Sequence, residues 1–349
     1  MEKKDVIWLA WDRHPRTVEL SQSIGVPLRV IRCSRSGPLH WSWPLAKWWC
    51  LAQTFWHLWF HNYQIVLVQN PSLLLTTAAC LLKRLKGYTV VQDLHSYFAW
   101  HFDRPRGLRE VMYKILTVFC LRHANLTIVT NEALKNMVHG LGGRGFVLQD
   151  RIPQPSTGRT VLRGLFNMVF VCTYSADEPV TEVLEAARLV GTDVTVYVTG
   201  KRRKKSPARV PYNVVLTDYL AEEDYWSLLN SCDAVMVLTT REHTLLCGAY
   251  EAIALSKPLI LSDTKALRAY FLKGVVYTEN NRRDLAEAIR RAGRERDNLA
   301  REIAQLRQEL EKAWSNRRAE LMEILHEFSN PDAPVFALWS LRRREGRVK

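Results

Sequence analysis

Residues 234–261, AVMVLTTREHTLLCGAYEAIALSKPLIL, predict a β-strand, a polar loop, a helix and a second β-strand in direct succession. The predicted strands, residues 234–238 and 258–261, are almost uniformly apolar, and the helix between them is predicted at residues 248–255. Strands that are apolar throughout are typical of parallel sheets covered by helices on both faces. This stretch therefore predicts a βαβ unit.

The same alternation extends through both halves of the chain. In the first half strands are predicted at 6–11, 27–33, 65–69, 89–92, 126–129 and 146–148, and helices at 16–24, 44–60 and 108–122. In the second half further strands are predicted at 167–173, 194–199 and 214–216, and further helices at 179–190 and 222–230. Repeated βαβ units predict an α/β fold with parallel sheets.

The segment RIPQPSTG, residues 151–158, separates the two halves because it contains two prolines and a glycine. We expect two Rossmann-like parallel-sheet domains, 1–155 and 156–290, facing each other across a cleft, followed by C-terminal helices at 291–349. Within the long charged region 284–328, apolar residues recur every three or four positions without a clean heptad. These are Leu299, Ile303, Leu306, Leu310 and Ala313. This spacing favours a helix packed along the domains over a coiled coil.

The chain is basic, and its basic residues are concentrated in the first half. Its 349 residues carry 49 Lys and Arg against 35 Asp and Glu, and the formal net charge is +14. Residues 1–155 account for +10 of that charge, and nine of the 12 Trp lie within the first 100 residues. A hydrophobic content of 47% excludes a disordered chain. The charge indicates a polyanionic partner such as an anionic membrane, a phosphorylated small molecule or nucleic acid.

Several common classes of protein are disfavoured by missing motifs. The chain contains no GxxxxGK[ST], HExxH or DxD motif, and its seven cysteines include no CxxC pair. The glycine-rich stretch at 140–145 follows a predicted helix and precedes a strand, which is the wrong order for a dinucleotide-binding loop. A P-loop ATPase, a zinc protease and a dinucleotide oxidoreductase are therefore disfavoured. The scattered cysteines favour a reducing compartment.

Polar residues follow four predicted strands directly, at residues 11–16, 92–97, 172–179 and 239–251. In open parallel sheets ligands bind outside the carboxyl ends of the strands, so these segments are candidates for a binding site. Gly248 lets the backbone approach closely where a helix begins, and the amides there would face a phosphate. Glu251, one turn later, either accepts hydrogen bonds from sugar hydroxyls or is a solvated glutamate at a helix start.

Six short stretches, residues 12–16, 68–71, 92–95, 130–132, 217–220 and 248–258, occur in the order found in one enzyme family. In these six stretches the chain resembles GT-B glycosyltransferases, particularly the group 1 (family 4) enzymes and the related chitobiosyl-diphosphodolichol β-mannosyltransferases. The resemblance implies that the second domain binds a nucleotide-diphosphate sugar. The expected contacts are Asp218, Tyr219 and Leu220 near the base, Glu251 at the ribose, and Gly248 with its neighbours at the phosphates.

The chain departs from the family pattern at two places. The family commonly has two glutamates separated by seven residues, whereas here His243 stands eight positions before Glu251 and Glu242 is one place out of register. The usual phosphate-binding Arg and Lys are missing from residues 173–178. Either hydroxyls replace them or the basic run 201–205 supplies the charge, if that run is not simply a solvated loop. The full set of expected donor-binding residues is Thr173, Tyr174, Ser175, Lys201, Asp218, Tyr219, Leu220, His243, Thr244, Cys247, Gly248, Ala249, Tyr250 and Glu251. No metal and no other cofactor is expected.

The acceptor is expected to bind the first domain. Asp93 and His95 are candidates for the general base, because a carboxylate that orients an imidazole suits deprotonation of a hydroxyl. The alternative is a loop-capping aspartate beside a packed histidine. Asp12, Arg13, His14 and Arg16 are the expected acceptor-binding residues, with Arg16 either gripping a phosphate or lying along the helix start. Only an inverting reaction would require such a base.

Six tryptophans fall within residues 41–59. At helical spacing, one broad apolar face of the predicted helix comprises Leu45, Trp48, Trp49, Ala52, Phe55, Trp56, Trp59 and Phe60. Part of that face is expected to pack on the sheet, but tryptophan also favours membrane interfaces, especially beside basic residues. We therefore expect residues 41–60 to contact an anionic membrane surface.

These observations together predict a metal-independent hexosyltransferase that is cytoplasmic and peripheral on the inner face of a membrane. It would transfer a sugar from a nucleotide sugar to a lipid-linked (polyprenyl-diphosphate saccharide) or saccharide acceptor in polysaccharide or glycan assembly. A sugar-nucleotide epimerase and a catalytically silent partner subunit are the alternatives. Binding of nucleic acid is not expected, because the chain lacks the motifs of that function.

Overall fold

The computed structural model describes residues 5–31, 43–70, 72–95, 107–201 and 209–330. The chain divides into two compact units, the first formed by residues 1–149 and 314–349 and the second by residues 150–313. The first boundary lies a few residues before the expected 155. The second boundary, between residues 313 and 314, falls within the long C-terminal helix, residues 296–329.

Unit 1 is built on a six-stranded parallel sheet with the order β2-β1-β3-β4-β5-β6. Its elements are β1 (Val6–Ala10), α1 (Pro15–Ser23), β2 (Leu28–Val30), α2 (Trp43–Phe60), β3 (Ile65–Asn70), α3 (Leu73–Lys86), β4 (Thr89–Leu94), α4 (Leu108–His123), β5 (Leu126–Val129), α5 (Glu132–Gly140) and β6 (Gly145–Val147). The strands β1, β3 and β5 are buried along their whole length.

Unit 2 is built on a second six-stranded parallel sheet, with the order β12-β11-β10-β7-β8-β9. Its elements are β7 (Phe166–Phe170), α6 (Val180–Val190), β8 (Val194–Thr199), β9 (Val214–Asp218), α7 (Glu222–Ser231), β10 (Ala234–Val237), α8 (Cys247–Ala254), β11 (Leu259–Ser262), α9 (Lys265–Tyr270), β12 (Val275–Thr278), α10 (Arg282–Arg294) and α11 (Arg296–Ser329). Numbered within the unit, this is the 3-2-1-4-5-6 order of the Rossmann fold, seen from its other edge.

The predicted α/β class, with two Rossmann-like parallel sheets and a long C-terminal helix, is confirmed. Every predicted strand and helix is present within a few residues of its expected bounds, but α3, α5, α9 and β12 were not predicted. The largest boundary errors, of three residues, are at β2, which ends at Val30 instead of residue 33, and at β7, which ends at Phe170 instead of residue 173. After β7 the chain leaves the extended conformation and reaches the left-handed region at Tyr174, with φ of 56°.

Helix α11 contributes to the core of both units. Its first part places Leu299, Ile303 and Leu306 in the core of unit 2, and its later part places Trp314 and Leu321 in the core of unit 1. The Trp314 indole donates a hydrogen bond to the Gln149 carbonyl at 3.2 Å. The expected helix packed along the domains is therefore present.

Helix α2 packs mainly through a face other than the predicted aromatic one, of which Phe55 packs against the core. Cys50, Thr54, His57 and Leu58 are buried, whereas most of the predicted aromatic face is exposed to solvent. Burial of the polar face is possible because its groups are hydrogen-bonded. The Thr54 hydroxyl accepts from the Trp11 indole at 3.0 Å and donates to the Cys50 carbonyl at 2.8 Å. Trp41, the first tryptophan of the predicted segment, lies outside the described residues.

Among the described residues, no helix has the length and apolar character required to cross a membrane.

Candidate functional site

The carboxyl ends of β7 and β10 mark the point where the strand order of unit 2 reverses. The chain runs from β7 to β8 on one side of the sheet, whereas β10 pairs on the other side of β7. The loops that leave two such strands diverge and leave a crevice, which is where doubly wound sheets bind ligands. Two of the four predicted polar segments, 172–179 and 239–251, lie at this edge of the sheet.

The loop after β7 is organised by the Glu178 carboxylate. One or both of its oxygens accept the Thr173 amide at 2.9 Å, the Thr173 hydroxyl at 3.0 Å and the Ser175 amide at 2.8 Å. Successive backbone amides of this kind form an anion-binding cradle. Gly200 allows the close approach, since a Cβ there would lie 2.1 Å from the Cys172 carbonyl oxygen. Two of the predicted residues, Thr173 and Ser175, therefore bind a carboxylate of the protein itself.

Asp177 and Arg241 form a contact that the sequence did not suggest. The Asp177 carboxylate accepts the Ser175 hydroxyl at 2.6 Å and the Thr239 hydroxyl at 2.7 Å, and it pairs with the Arg241 guanidinium at 2.9 Å. Although burial favours the neutral acid, these partners hold the pKa of Asp177 below its ordinary value. The pair joins the loop after β10 to the loop after β7. It also places the half-buried Arg241 at the sheet edge where residues 173–178 contain no Arg or Lys.

Helix α8 begins directly against the two central strands. A Cβ at Gly248 would lie 2.9 Å from Cγ1 of Val171 and 3.2 Å from Cγ1 of Val237, so only glycine fits without movement of the neighbours. The residue before the helix is Leu246, whose side chain cannot cap the first amides, and the first turn holds no acidic residue. A helix start of this kind attracts an anion. The predicted role of Gly248 in close approach therefore has a clear structural basis.

Glu251 lies one turn into α8, where its carboxylate accepts a hydrogen bond from the hydroxyl of Tyr225 in α7. Burial raises the pKa of Glu251 above its ordinary value, and the tyrosine bond offsets part of that shift. Glu251 is thus not a solvated glutamate. Tyr225 was missed, because its partner stands 26 residues away and no local pattern connects them.

The two candidate residues for the first family glutamate lie in different surroundings. Glu242 accepts the Lys265 amide at 3.0 Å and so caps the start of α9, whereas His243 is exposed.

The remaining predicted donor-binding residues vary in exposure. Lys201, Asp218, Tyr219 and Cys247 are exposed, Thr244 and Leu220 are half-buried, and Ala249 and Tyr250 are buried within α8. Asp218 has a φ of 55° at the end of β9, and Tyr219 beyond it is 79% exposed. The rest of the basic run, residues 202–205, lies outside the described residues.

In unit 1 a buried arginine binds Asp93, one of the two candidates for the general base. Arg16, at the start of α1, donates to the Asp93 carboxylate from Nε at 3.1 Å and from Nη2 at 3.0 Å. Nη2 also donates to the Leu148 carbonyl at 2.8 Å. His95 Nδ1 lies 3.3 Å from the second Asp93 oxygen, and the His95 ring stacks on His14 with 4.4 Å between ring centroids. The structure therefore brings together Asp93 and His95, as predicted.

The charge state of Asp93 follows from these contacts. Burial alone would raise the pKa of Asp93, but the Arg16 charge and the bond to His95 outweigh it and hold the pKa well below its ordinary value. A carboxylate that is ionised at neutral pH and 1% exposed is suited to orienting His95 rather than to accepting a proton itself.

The predicted acceptor-binding residues fall into two groups. Asp12 and Arg13 are exposed on the loop between β1 and α1, and His14 is half-buried beside His95. Arg16, in contrast, is 7% exposed and bound to Asp93 and Leu148, so its guanidinium positions Asp93 instead of facing an acceptor phosphate.

Comparison with known proteins agrees with this geometry. Residues 166–294, which contain the strand-order reversal, Gly248 and Glu251, match the family model described as "Glycosyl transferases group 1". Over these residues the chain is similar to that family. No curated protein sequence is significantly similar to this chain.

The solved structures that resemble the chain share its fold across both units. Anabaena HepE in complex with UDP has a TM-score of 0.68 at 13% identity, covering 92% of this chain and 99% of HepE. Sucrose-phosphate synthase from Thermosynechococcus elongatus has a TM-score of 0.69 at 13% identity, covering 93% of this chain and 98% of that chain. The fold is GT-B. A Listeria monocytogenes protein described as a proposed UDP-N-acetylglucosamine 2-epimerase is also similar, with a TM-score of 0.66 at 12% identity over 96% of this chain and 100% of that one.

Proposed function

We propose that the chain is a glycosyltransferase that takes its sugar from a nucleoside-diphosphate sugar bound by unit 2. The observation that carries the proposal is the start of α8. Gly248 packs this helix against Val171 and Val237 where the strand order reverses, within the residues that match the group 1 glycosyltransferase model. The residue before α8, Leu246, makes no side-chain cap, and a diphosphate is the group that suits such a helix start.

The donor is proposed to contact residues on helix α8 and on the loops that follow β9 and β10 of unit 2. The α8 amides and the Arg241 guanidinium would hold the diphosphate, with Arg241 turning to it from Asp177. Glu251, half-buried and bonded to Tyr225, would accept hydrogen bonds from the ribose hydroxyls, and the exposed Tyr219 would offer its ring to the base. Amides and a guanidinium can stabilise a diphosphate leaving group by themselves, so we propose transfer without a metal ion.

The acceptor hydroxyl is proposed to be activated in unit 1. Asp93 accepts a hydrogen bond from His95 Nδ1–H, which leaves Nε2 as the nitrogen that takes a proton. As the acceptor oxygen bonds to the anomeric carbon, its proton passes to Nε2 and the bond between that carbon and the phosphate oxygen breaks. The nucleoside diphosphate leaves with the electron pair. Arg16 keeps Asp93 ionised throughout this step.

The acceptor is proposed to be lipid-linked, in the assembly of a polysaccharide or glycan at the inner face of a membrane. The support is the exposed aromatic face of α2 in a basic unit, where Trp48 and Trp56 are 67% and 69% exposed. Tryptophan in such a position favours the interface of a bilayer, where a polyprenyl-diphosphate saccharide would be held. We propose an acceptor of the chemical class used by the chitobiosyl-diphosphodolichol β-mannosyltransferase group, a saccharide on a polyprenyl diphosphate.

A thermal-shift panel tests the donor site first. The full chain is heated with UDP, GDP, ADP or dTDP, and with their sugars, always with EDTA present. A ligand at one hundred times its Kd stabilises the native state by about 2.7 kcal/mol, which gives a clear shift. We expect one nucleotide to raise the Tm. We expect Glu251→Gln to abolish the shift and Glu287→Gln, an exposed glutamate on α10, to preserve it. No shift with any nucleotide would refute the donor site.

The same preparation separates the alternative functions. A transferase releases the nucleoside diphosphate only when an acceptor is supplied, and His95→Gln should reduce that release while leaving nucleotide binding unchanged. A sugar-nucleotide epimerase would convert the bound donor into its epimer without an acceptor. A catalytically silent subunit would bind the donor and do neither.

A further inference from the structure

Every exposed large apolar residue in the described part of unit 1 lies on one of three helices, α2, α3 and α4. These residues are Trp48, Trp49, Trp56, Trp59, Phe60, Leu81, Leu85, Leu108, Val111, Met112 and Ile115. Their exposed fractions run from 38% at Val111 to 81% at Leu108. We call this set the three-helix surface. Only its α2 part could be suspected from the tryptophan content of the sequence.

The three helices lie side by side, with α3 in the middle. On one side, Lys86 at the end of α3 donates to the Trp59 carbonyl of α2 at 2.9 Å. On the other side, Lys83 of α3 donates to the His123 carbonyl of α4 at 3.0 Å. Since these contacts join the three helices, their exposed side chains lie on neighbouring elements of unit 1.

The three helices carry a strongly basic charge. Together they contain seven Lys and Arg and one acidic residue, Glu110, whereas the whole chain has 49 basic and 35 acidic residues. The basic residues are Lys47, Lys83, Arg84, Lys86, Arg109, Lys114 and Arg122. Neither α2 nor α3 contains an acidic residue.

We propose that the three-helix surface docks on an anionic lipid bilayer, with residues of α2, α3 and α4 entering the interface together. Tryptophan rings and leucine side chains enter the headgroup region, while lysine and arginine interact with anionic headgroups around them. The charge argues against a second copy of this chain as the occupant. A two-fold contact places a surface against itself, and here it would bring Lys47, Arg84 and Lys114 against the same basic residues of the second copy.

This inference deepens the proposed lipid-linked acceptor but does not depend on sugar transfer for its test. The full chain, without donor, is sedimented with vesicles of phosphatidylcholine alone or mixed with phosphatidylglycerol. We expect binding to the mixed vesicles only. Binding should weaken as salt rises, because the Debye length falls from about 10 Å at 0.1 M to about 3 Å at 1 M. Arg84→Gln with Lys114→Gln should weaken binding by about fivefold per charge.

Two paired substitutions test the extent of the surface. Trp48→Gln with Trp56→Gln should weaken vesicle binding by about tenfold for each ring removed. Leu85→Gln with Met112→Gln, on α3 and α4, should weaken it by about fivefold for each side chain. The matched control is Leu189→Gln with Leu272→Gln, two residues of unit 2 that are 46% and 70% exposed, and it should bind vesicles as the unsubstituted chain does.

Three results would overturn the proposal. The first is no sedimentation with anionic vesicles, even if the thermal-shift panel identifies a donor. The second is unchanged binding by the Leu85 and Met112 variant, since the surface would then be α2 alone. The third is a dimer in light scattering that the Trp48 and Trp56 variant dissociates, since the surface would then be an interface between copies.

Discussion

Replacement of Arg16 by methionine should destabilise unit 1 by about 3–5 kcal/mol. Methionine keeps the length of the side chain but removes the guanidinium, leaving the Asp93 carboxylate buried without its cation and the Leu148 carbonyl without this donor. Removal of one partner from a buried ion pair costs about that amount, because the remaining charge is uncompensated. The contact is wholly inside the protein, since the two side chains are 5% and 0% exposed.

A double-mutant cycle separates the ion pair from the loss of packing. Asp93→Asn alone leaves the arginine charge buried, whereas Arg16→Met with Asp93→Asn leaves no buried charge at either position. The double variant should therefore cost less than the sum of the single variants by about 2 kcal/mol.

Urea unfolding followed by tryptophan fluorescence measures these effects in the correct unit. Eleven of the 12 tryptophans belong to unit 1, and Trp226 belongs to unit 2, so the signal reports the unfolding of unit 1. Lys135→Met is the matched control, because Lys135 pairs with Glu132 at 3.0 Å at the surface of the same unit. It should cost about 0.5 kcal/mol or less. If Arg16→Met proves no more costly than Lys135→Met, the assignment of a buried ion pair is wrong.

Three further outcomes are expected. The folded-state pKa of Asp93 lies below its unfolded value of 3.8, so the stability it contributes is present above about pH 4 and is lost as pH falls further. Acid unfolding of unit 1 should consequently be steeper in the unsubstituted chain than in the double variant. Gly248→Ala places a methyl group 2.9 Å from Val171, which should destabilise unit 2 by about 1–3 kcal/mol and weaken nucleotide binding. Adding Val171→Ala should restore part of the stability and part of the binding, as measured by calorimetry. Tyr225→Phe removes the donor to Glu251 and should weaken nucleotide binding about tenfold at unchanged helix content, as titration would show. Unchanged affinity would mean that Glu251 does not contact the ligand.

Much of the fold could be predicted because the evidence for it is local. The uniform apolar runs at 65–69 and 234–238 correspond to strands β3 and β10, and the break before Gly248 corresponds to the start of α8. Helix α3 was not predicted because its sequence, LLLTTAACLLKRLK, is apolar for most of its length, and such a run does not by itself distinguish a helix from a buried strand. Strand β12 has four residues and only alternate burial, so its pattern is weak.

The candidate sites were partly predictable for the same reason. Asp93 and His95 are two residues apart at the end of one strand, so the extended backbone places them on the same face. Arg16 could be located at a helix start but not assigned a partner, because Asp93 is 77 residues away. Arg241 and Asp177 are likewise brought together only by the pairing of β7 with β10.

The sequence by itself determined the α/β class, the two parallel sheets, the close-packed helix start at Gly248 and the association of Asp93 with His95. These follow from side-chain periodicity and from residues near one another in the chain. The tertiary structure alone decided that Arg16 is buried against Asp93, that Tyr225 holds Glu251, and that α2 turns its aromatic side outward. Helical spacing shows which residues share a face, but which face is buried depends on the neighbours it meets. In α2, Trp11 supplied the partner for Thr54 and allowed the polar face to pack inward.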